Sequence, residues 1–275
     1  MYHIVMMKKR LLKVAIITII TIFVIYLFLA VTVNVFHMGK EYTPDNKIDV
    51  SSILNKDELS DNDYETLFTQ TGLTRIGIDR MKDVQKHRIL EIQDDYFKDV
   101  EVNRREFGHI VCSCDTERII NHTILEKGDI LISLSTHISF IHFGHAELYI
   151  GDSKTISLSS YALESNYDIE NNFFNRGNFL VLRVKDIDNI DEIIEYAKSI
   201  ISGVKYRIST GILTRKNPSK LRYSQCAHII WYIFNKYGID LDSNKGLVVT
   251  PKDILKSEKL ELIQIYGLEY NKLFN

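Results

Sequence analysis

Residues 222–234 read RYSQCAHIIWYIF, and residues 144–152 read GHAELYIGD. The first of these stretches decides the fold. Ile229, Ile230, Ile233 and Phe234 recur at helical spacing, with Cys226 and Tyr237 on the same apolar face, and Gly238 supplies a stop. The spacing predicts a heavily buried helix over Ser224–Tyr237 with Cys226 near its start. The second stretch predicts a hairpin. Ala146–Ile150 has strand length, Gly151-Asp152 signals a turn, and SKTISLSSYAL (153–163) returns as the next strand.

A thiol in the first turn of a helix lies at the positive end of the macrodipole, which favours the thiolate. The N–H groups of that turn have no intrahelical acceptor and are open to an oxyanion. The bland alternative is a small buried hydrophobe, a common fate of free cysteine. A thiolate nucleophile needs a base, and His145 opens the first strand of the hairpin. With Gly151 at the centre of the turn, Tyr149 faces Ser153 and His145 faces Ser157, at about 5 Å between Cβ atoms. Ser157 then bonds one ring nitrogen and leaves the other for a thiol, the orienting arrangement of a triad. Glu147 shares the strand face by period-2 alternation. It is a second and electrostatically stronger candidate for orienting the imidazole.

GDILIS (128–133), GHAELYIGD, a short strand, VKYR (204–207) and YSQCAHIIWYIF, in that order, resemble the permuted papain-like hydrolases. These are the YiiX-like and lecithin–retinol-acyltransferase-like branch of the NlpC-type superfamily. The resemblance spans about residues 126–255. It implies an α+β fold with an antiparallel sheet and a Cys-bearing helix, with the His strand first in the chain and the Cys helix last. By this match His145 is the base and Cys226 the nucleophile. Ser157 falls where such proteins usually carry His, Glu or another stronger polar group. Serine orients an imidazole but does not stabilise its cation by charge, so Glu147 stands as the alternative third residue. Tyr206, in VKYR, matches a substrate-pocket aromatic and is otherwise a core residue. The implied activity is a cysteine hydrolase of amides or esters, with no cofactor. Peptide substrates, peptidoglycan among them, come first. A lipid acyl hydrolase or acyltransferase, or a non-catalytic cell-wall or lipid-binding module, are the alternatives.

Outward from this core, Ile130–Leu134 and Asn178–Val184 read as further strands. The β-prone run Ile119–Ile124 reads the same way. Asp191–Ser202 reads as a helix, and Asp253–Leu260 as a last one. Ser60–Asp63 offers N-cap residues for a helix ending at Gly72, and Thr74–Phe97 predicts one or two more amphipathic helices. The uncharged run Val14–Phe36, 23 residues long, would span about 34 Å as a helix, enough for a bilayer core of about 30 Å. Lys8, Lys9, Arg10 and Lys13 precede it, and Lys40 and Glu41 follow. That asymmetry predicts a cytoplasmic N-terminus and an extracellular remainder on a single-pass anchor. A cleaved signal peptide is the alternative, although the run is long for one and Ala30-Val31-Thr32 is a poor cleavage site. The organisation expected is a basic N-terminus (1–13), a transmembrane helix (14–36), a tether (37–56), a helical elaboration (57–125) and the catalytic domain (126–275).

Thirty-four Lys+Arg against 36 Asp+Glu give a net charge of -2, without the basic excess of a general nucleic-acid binder. Three cysteines in 275 residues do not make a disulfide scaffold. His137, His142 and His145 crowd together, yet CxxC and HExxH spacings are missing, so no metal is expected. Arg215, Lys216, Lys220 and Arg222 form a basic run before the Cys helix. It reads as a solvated loop or as a lure for an anionic substrate.

Overall fold

The computed structural model describes residues 2–35, 40–82, 84–98, 103–104, 111–114, 118–138, 141–159 and 166–274. Its helices are α1 (Tyr2–Val35), α2 (Ser51–Leu54), α3 (Asp61–Thr71), α4 (Arg75–Lys82), α5 (Lys86–Phe97), α6 (Ile190–Ile200), α7 (Cys226–Asn235), α8 (Pro251–Leu255) and α9 (Tyr270–Phe274). Its strands are β1 (Asn103–Arg104), β2 (Val111–Cys114), β3 (Ile130–Ser133), β4 (Thr136–Ile138), β5 (Ile141–His142), β6 (His145–Gly151), β7 (Lys154–Ser157), β8 (Asn166–Ile169), β9 (Phe179–Val184), β10 (Lys205–Tyr206), β11 (Tyr223–Ser224) and β12 (Leu260–Tyr266).

An antiparallel sheet in the order β12-β9-β3-β6-β7-β8 forms the centre. Alternation along the strands gives it two apolar faces. Ile130, Ile132, Ala146, Leu148, Leu180 and Leu182 join the core built with α6, α7 and α8. Leu131, Phe179, Val181, Ile263 and Tyr266 face the other way, against Tyr96, Ile120, Phe173 and Phe174. This mixed helix-and-sheet architecture matches the α+β expectation at that level.

The N-terminal helices have their own core, with Leu67, Leu73, Ile78, Met81, Ile89 and Ile92, and they dock on the edge strand β12. Thr74 N–H donates to the Ile263 carbonyl and Ile265 N–H to that of Gly72, each at 2.9 Å. Gly72 caps α3 at φ +69°, and a Cβ there would lie 1.9 Å from the Ile265 carbonyl oxygen. Only glycine combines that backbone angle with so close an approach. Arg80 of α4 bonds Glu126 at 2.8 Å, and Arg183 of β9 forks onto buried Asp129 at 2.7–2.8 Å. These ion pairs tie the helical segment, the β3 turn and β9 together.

Three local expectations differ from the structure. The helix expected over Asp253–Leu260 is α8, which ends at Leu255, and Leu260–Tyr266 is an edge strand instead. The Thr250/Asp253 capping box starts that helix, while LELIQIY pairs with β9 as a mostly buried strand with a bulge between Leu262 and Gln264. Ile119–Ile124 forms no strand, because its N–H groups find other partners. Ile120 bonds the Phe174 carbonyl, Asn121 the Asp95 carboxylate and Thr123 the Gln264 amide oxygen. The hairpin turn falls on Asp152-Ser153, both at positive φ, with Gly151 paired to Lys154. That two-residue loop suits the twist of antiparallel strands, and it shifts the register from the one expected.

α1 is a single helix in which Met6–Phe28 has mean hydropathy 2.6 and no buried residue. It is long and apolar enough to cross a membrane or to act as a signal sequence. It starts well before Val14, because the Met, Leu, Lys and Arg residues ahead of the apolar run are good helix formers. Phe36 lies outside the described residues.

Candidate active site

α7 brings Cys226 to the sheet. Its apolar face packs on Ala146, Leu148 and Leu182, which puts its first residue at the N-terminal end of β6. The ladder of β6 explains what meets the sulfur there. Tyr149 N–H points to β3, bonding the Asp129 carbonyl, so the N–H of Ala146 points to the β7 side. Pairing with β7 begins only at Leu148↔Ile156. The Ala146 N–H therefore lies beyond the paired ladder and points toward Cys226, whose thiolate it favours.

His145 and the Cys226 thiol interact directly, and the thiol donates to Gln225 Oε1 at 3.5 Å. The His145 Nε2 lies 3.0 Å from Glu147 Oε1, so Nδ1 is the nitrogen left for sulfur. Ser157 Oγ is 3.4 Å from the same Nε2 and 3.3 Å from Glu147 Oε1. Glu147 is thus the nearer oxygen, and the serine bridges both groups. The cause is the register. Tyr149↔Thr155 and Leu148↔Ile156, continued by one step, set Ser157 opposite Glu147, two residues from His145. The expected direct opposition of His145 and Ser157 does not occur.

The sequence reading missed further partners. Thr155 Oγ1 donates to Glu147 Oε2 at 2.5 Å. Arg176 lies 3.6 Å from Glu147 Oε1 and stacks over the Phe173 ring, which in turn stacks with the His145 imidazole. Period-2 spacing from Ser157 would have picked out Thr155. Arg176 sits in an irregular loop after β8, where no periodicity applies.

The electrostatics follow from this packing. Burial and the Arg176 charge push the His145 pKa down, but the bonds to Cys226 and Glu147 outweigh them and lift it to about 9. Burial pushes the Cys226 thiol up, while His145 and the N–H groups of Ala146 and Ala227 bring it below its ordinary value. Burial likewise raises Glu147, and its contacts with His145, Arg176 and Thr155 more than reverse that. These directions favour thiolate and carboxylate balanced by imidazolium and the partly buried Arg176 guanidinium. Cys226 keeps 9% of its surface exposed and His145 7%, so the group is nearly closed to solvent.

Gln225 caps α7 with its side-chain oxygen on Ala227 N–H at 3.0 Å, and its Nε2 donates to the Val249 carbonyl. The first-turn amides are therefore not all open to an oxyanion, as the sequence reading supposed. Cys226 N–H must act alone, or Gln225 must release Ala227. Tyr206 is half-buried beside the site, and burial followed by the Cys226 charge pushes its phenol up to about 12. His228 is not a rival base. Both its nitrogens are engaged, with Ser224 Oγ at 2.6 Å and the Lys216 carbonyl at 2.7 Å, and burial lowers its pKa to about 4. Lys216, from the basic run, pairs with buried Asp242 and lies over the Trp231 ring.

No family model matches the chain, and neither a curated protein nor a solved structure does. The functional reading rests on the residues and their geometry.

Proposed function

We propose that the chain is a cysteine hydrolase of permuted papain-like type, anchored by α1 with its N-terminus in the cytoplasm and residues 40–275 outside. The observation that carries this reading is the Cys226 thiol at the start of a buried helix, set beside a His145 ring whose Nε2 meets Glu147. The basic residues ahead of the apolar run support the orientation. Export favours peptide amides of the cell wall as substrates.

The Cys226 thiolate attacks the carbonyl carbon, and the carbonyl electron pair moves onto oxygen. The Cys226 N–H, with Ala227 N–H if Gln225 swings away, receives that oxyanion. His145 then delivers its proton to the departing nitrogen as the C–N bond breaks, leaving a thioester on sulfur. Neutral His145 takes a proton from water, whose oxygen attacks the thioester carbon. The acid departs, and the thiolate–imidazolium pair returns. Glu147 stabilises the imidazolium throughout by charge, with Ser157 and Thr155 holding the carboxylate.

The test is a screen of peptidoglycan fragments and acyl esters with the native protein, Cys226→Ala and His145→Ala. Cleavage of peptide amides by the native protein alone is expected. Cleavage restricted to esters would move the substrate to lipids. Binding without turnover, with Cys226 no more reactive than an ordinary thiol, would leave a binding module.

A further inference from the structure

We propose that His137 and His142 form a second site, a two-imidazole seat for one borderline divalent cation such as Zn2+. It lies on the small sheet just before the His145 strand and is independent of the Cys226–His145 reading.

β4 and β5 pair antiparallel with His137 directly opposite His142. The two side chains therefore share one face, with ring centroids 5.3 Å apart. His137 is fully buried, and its Nδ1 lies 3.0 Å from the Ser135 carbonyl oxygen. A carbonyl only accepts, so Nδ1 carries the proton and Nε2 presents a lone pair. Among the described residues that Nε2 has no hydrogen-bond partner, and neither does the buried Nδ1 of His142. Buried polar atoms are rarely left unmet, because each forfeits its hydration without return. With its proton on Nε2, His142 offers a second lone pair at Nδ1. Two lone pairs on one face call for a donor or a cation.

The spacing suits a cation. With metal–nitrogen bonds of about 2.0–2.1 Å and each ring centre about 1.1 Å behind its nitrogen, a tetrahedral angle sets the centroids about 5.2 Å apart. The Nδ1–H bond of His137 to a backbone carbonyl is the orienting contact that metal-bound imidazoles make. Burial, then His137 and Lys252, hold the His142 pKa below its ordinary value, which favours the neutral form of that ring. Among the described residues no set of three or more His, Cys, Asp or Glu converges. Water completes the coordination, and the nearby Lys252 charge holds the affinity down.

Zn2+ titration of full-length protein in detergent by calorimetry tests this, in a Cys226→Ala background that removes the thiolate as a competing ligand. One equivalent should bind and raise the thermal midpoint. His142→Ala should weaken binding about ten-fold or more and abolish the thermal shift, while Cys112→Ser/Cys114→Ser should leave both unchanged. His142→Gln provides the same reading if the alanine variant does not fold. Absence of binding, binding untouched at His142, or binding lost only with Cys112 and Cys114 would overturn the site.

Discussion

At the scale of residues, the chemistry of Cys226 depends on which oxygen holds His145. A carboxylate stabilises an imidazolium by charge, and a hydroxyl only orients it. Glu147 at 3.0 Å therefore outranks Ser157 at 3.4 Å. Because Cys226 is lowered and His145 raised to about 9, the thiolate–imidazolium form is favoured over the neutral pair. The signs set both limbs of the pH profile. As pH falls through the depressed thiol pKa, the thiolate is lost. As pH rises through about 9, the general acid is lost, so hydrolysis should decline there. Iodoacetamide should alkylate Cys226 faster at pH 7 than it does an ordinary thiol. Glu147→Gln should return the thiol toward its ordinary range and slow that reaction by about ten-fold or more. Ser157→Ala should slow it by less than about ten-fold. Equal effects from the two substitutions, or none from Glu147→Gln, would reverse the assignment.

At the scale of elements, the junction between α3 and β12 is the most sensitive joint. Gly72→Ala meets both a positive φ and a carbonyl oxygen at 1.9 Å. It should cost about 2–4 kcal/mol, read as a lowered urea midpoint. Gly238→Ala has a similar φ of +78° but open space around it, and should cost about 1 kcal/mol. A smaller loss at Gly72 than at Gly238 would mean that the helical segment does not seat on the edge strand. Thr250→Ala removes the hydroxyl of the α8 capping box and should cost about 1 kcal/mol.

At the scale of the whole molecule, an unburied apolar helix stands ahead of a body with its own cores. Protein made in its host should sediment with membranes at full length and be released by detergent. Protease added to intact cells should reach residues beyond 40. A shorter soluble product would instead show that α1 is a cleaved signal, and protection of those residues would reverse the orientation.

Local periodicity, which needs no distant partner, was enough to read α7 around Cys226, the strand that begins at His145, α6 and the apolar N-terminal helix. Where an element depends on a far segment, reading failed. β12 exists because β9 pairs with it, and Ile119–Ile124 stays irregular because Phe174, Asp95 and Gln264 take its N–H groups. The candidate site divides the same way. Cys226, His145, Glu147 and Ser157 were visible as residue types at suggestive positions. Their ranking waited on a turn at Asp152-Ser153 and a bulge between Tyr149 and Gly151, which together shift the register by two residues. Arg176, Gln225 and the His137–His142 pair became visible only with tertiary structure, because a charge in a loop or a cap on a helix is defined by what folds against it.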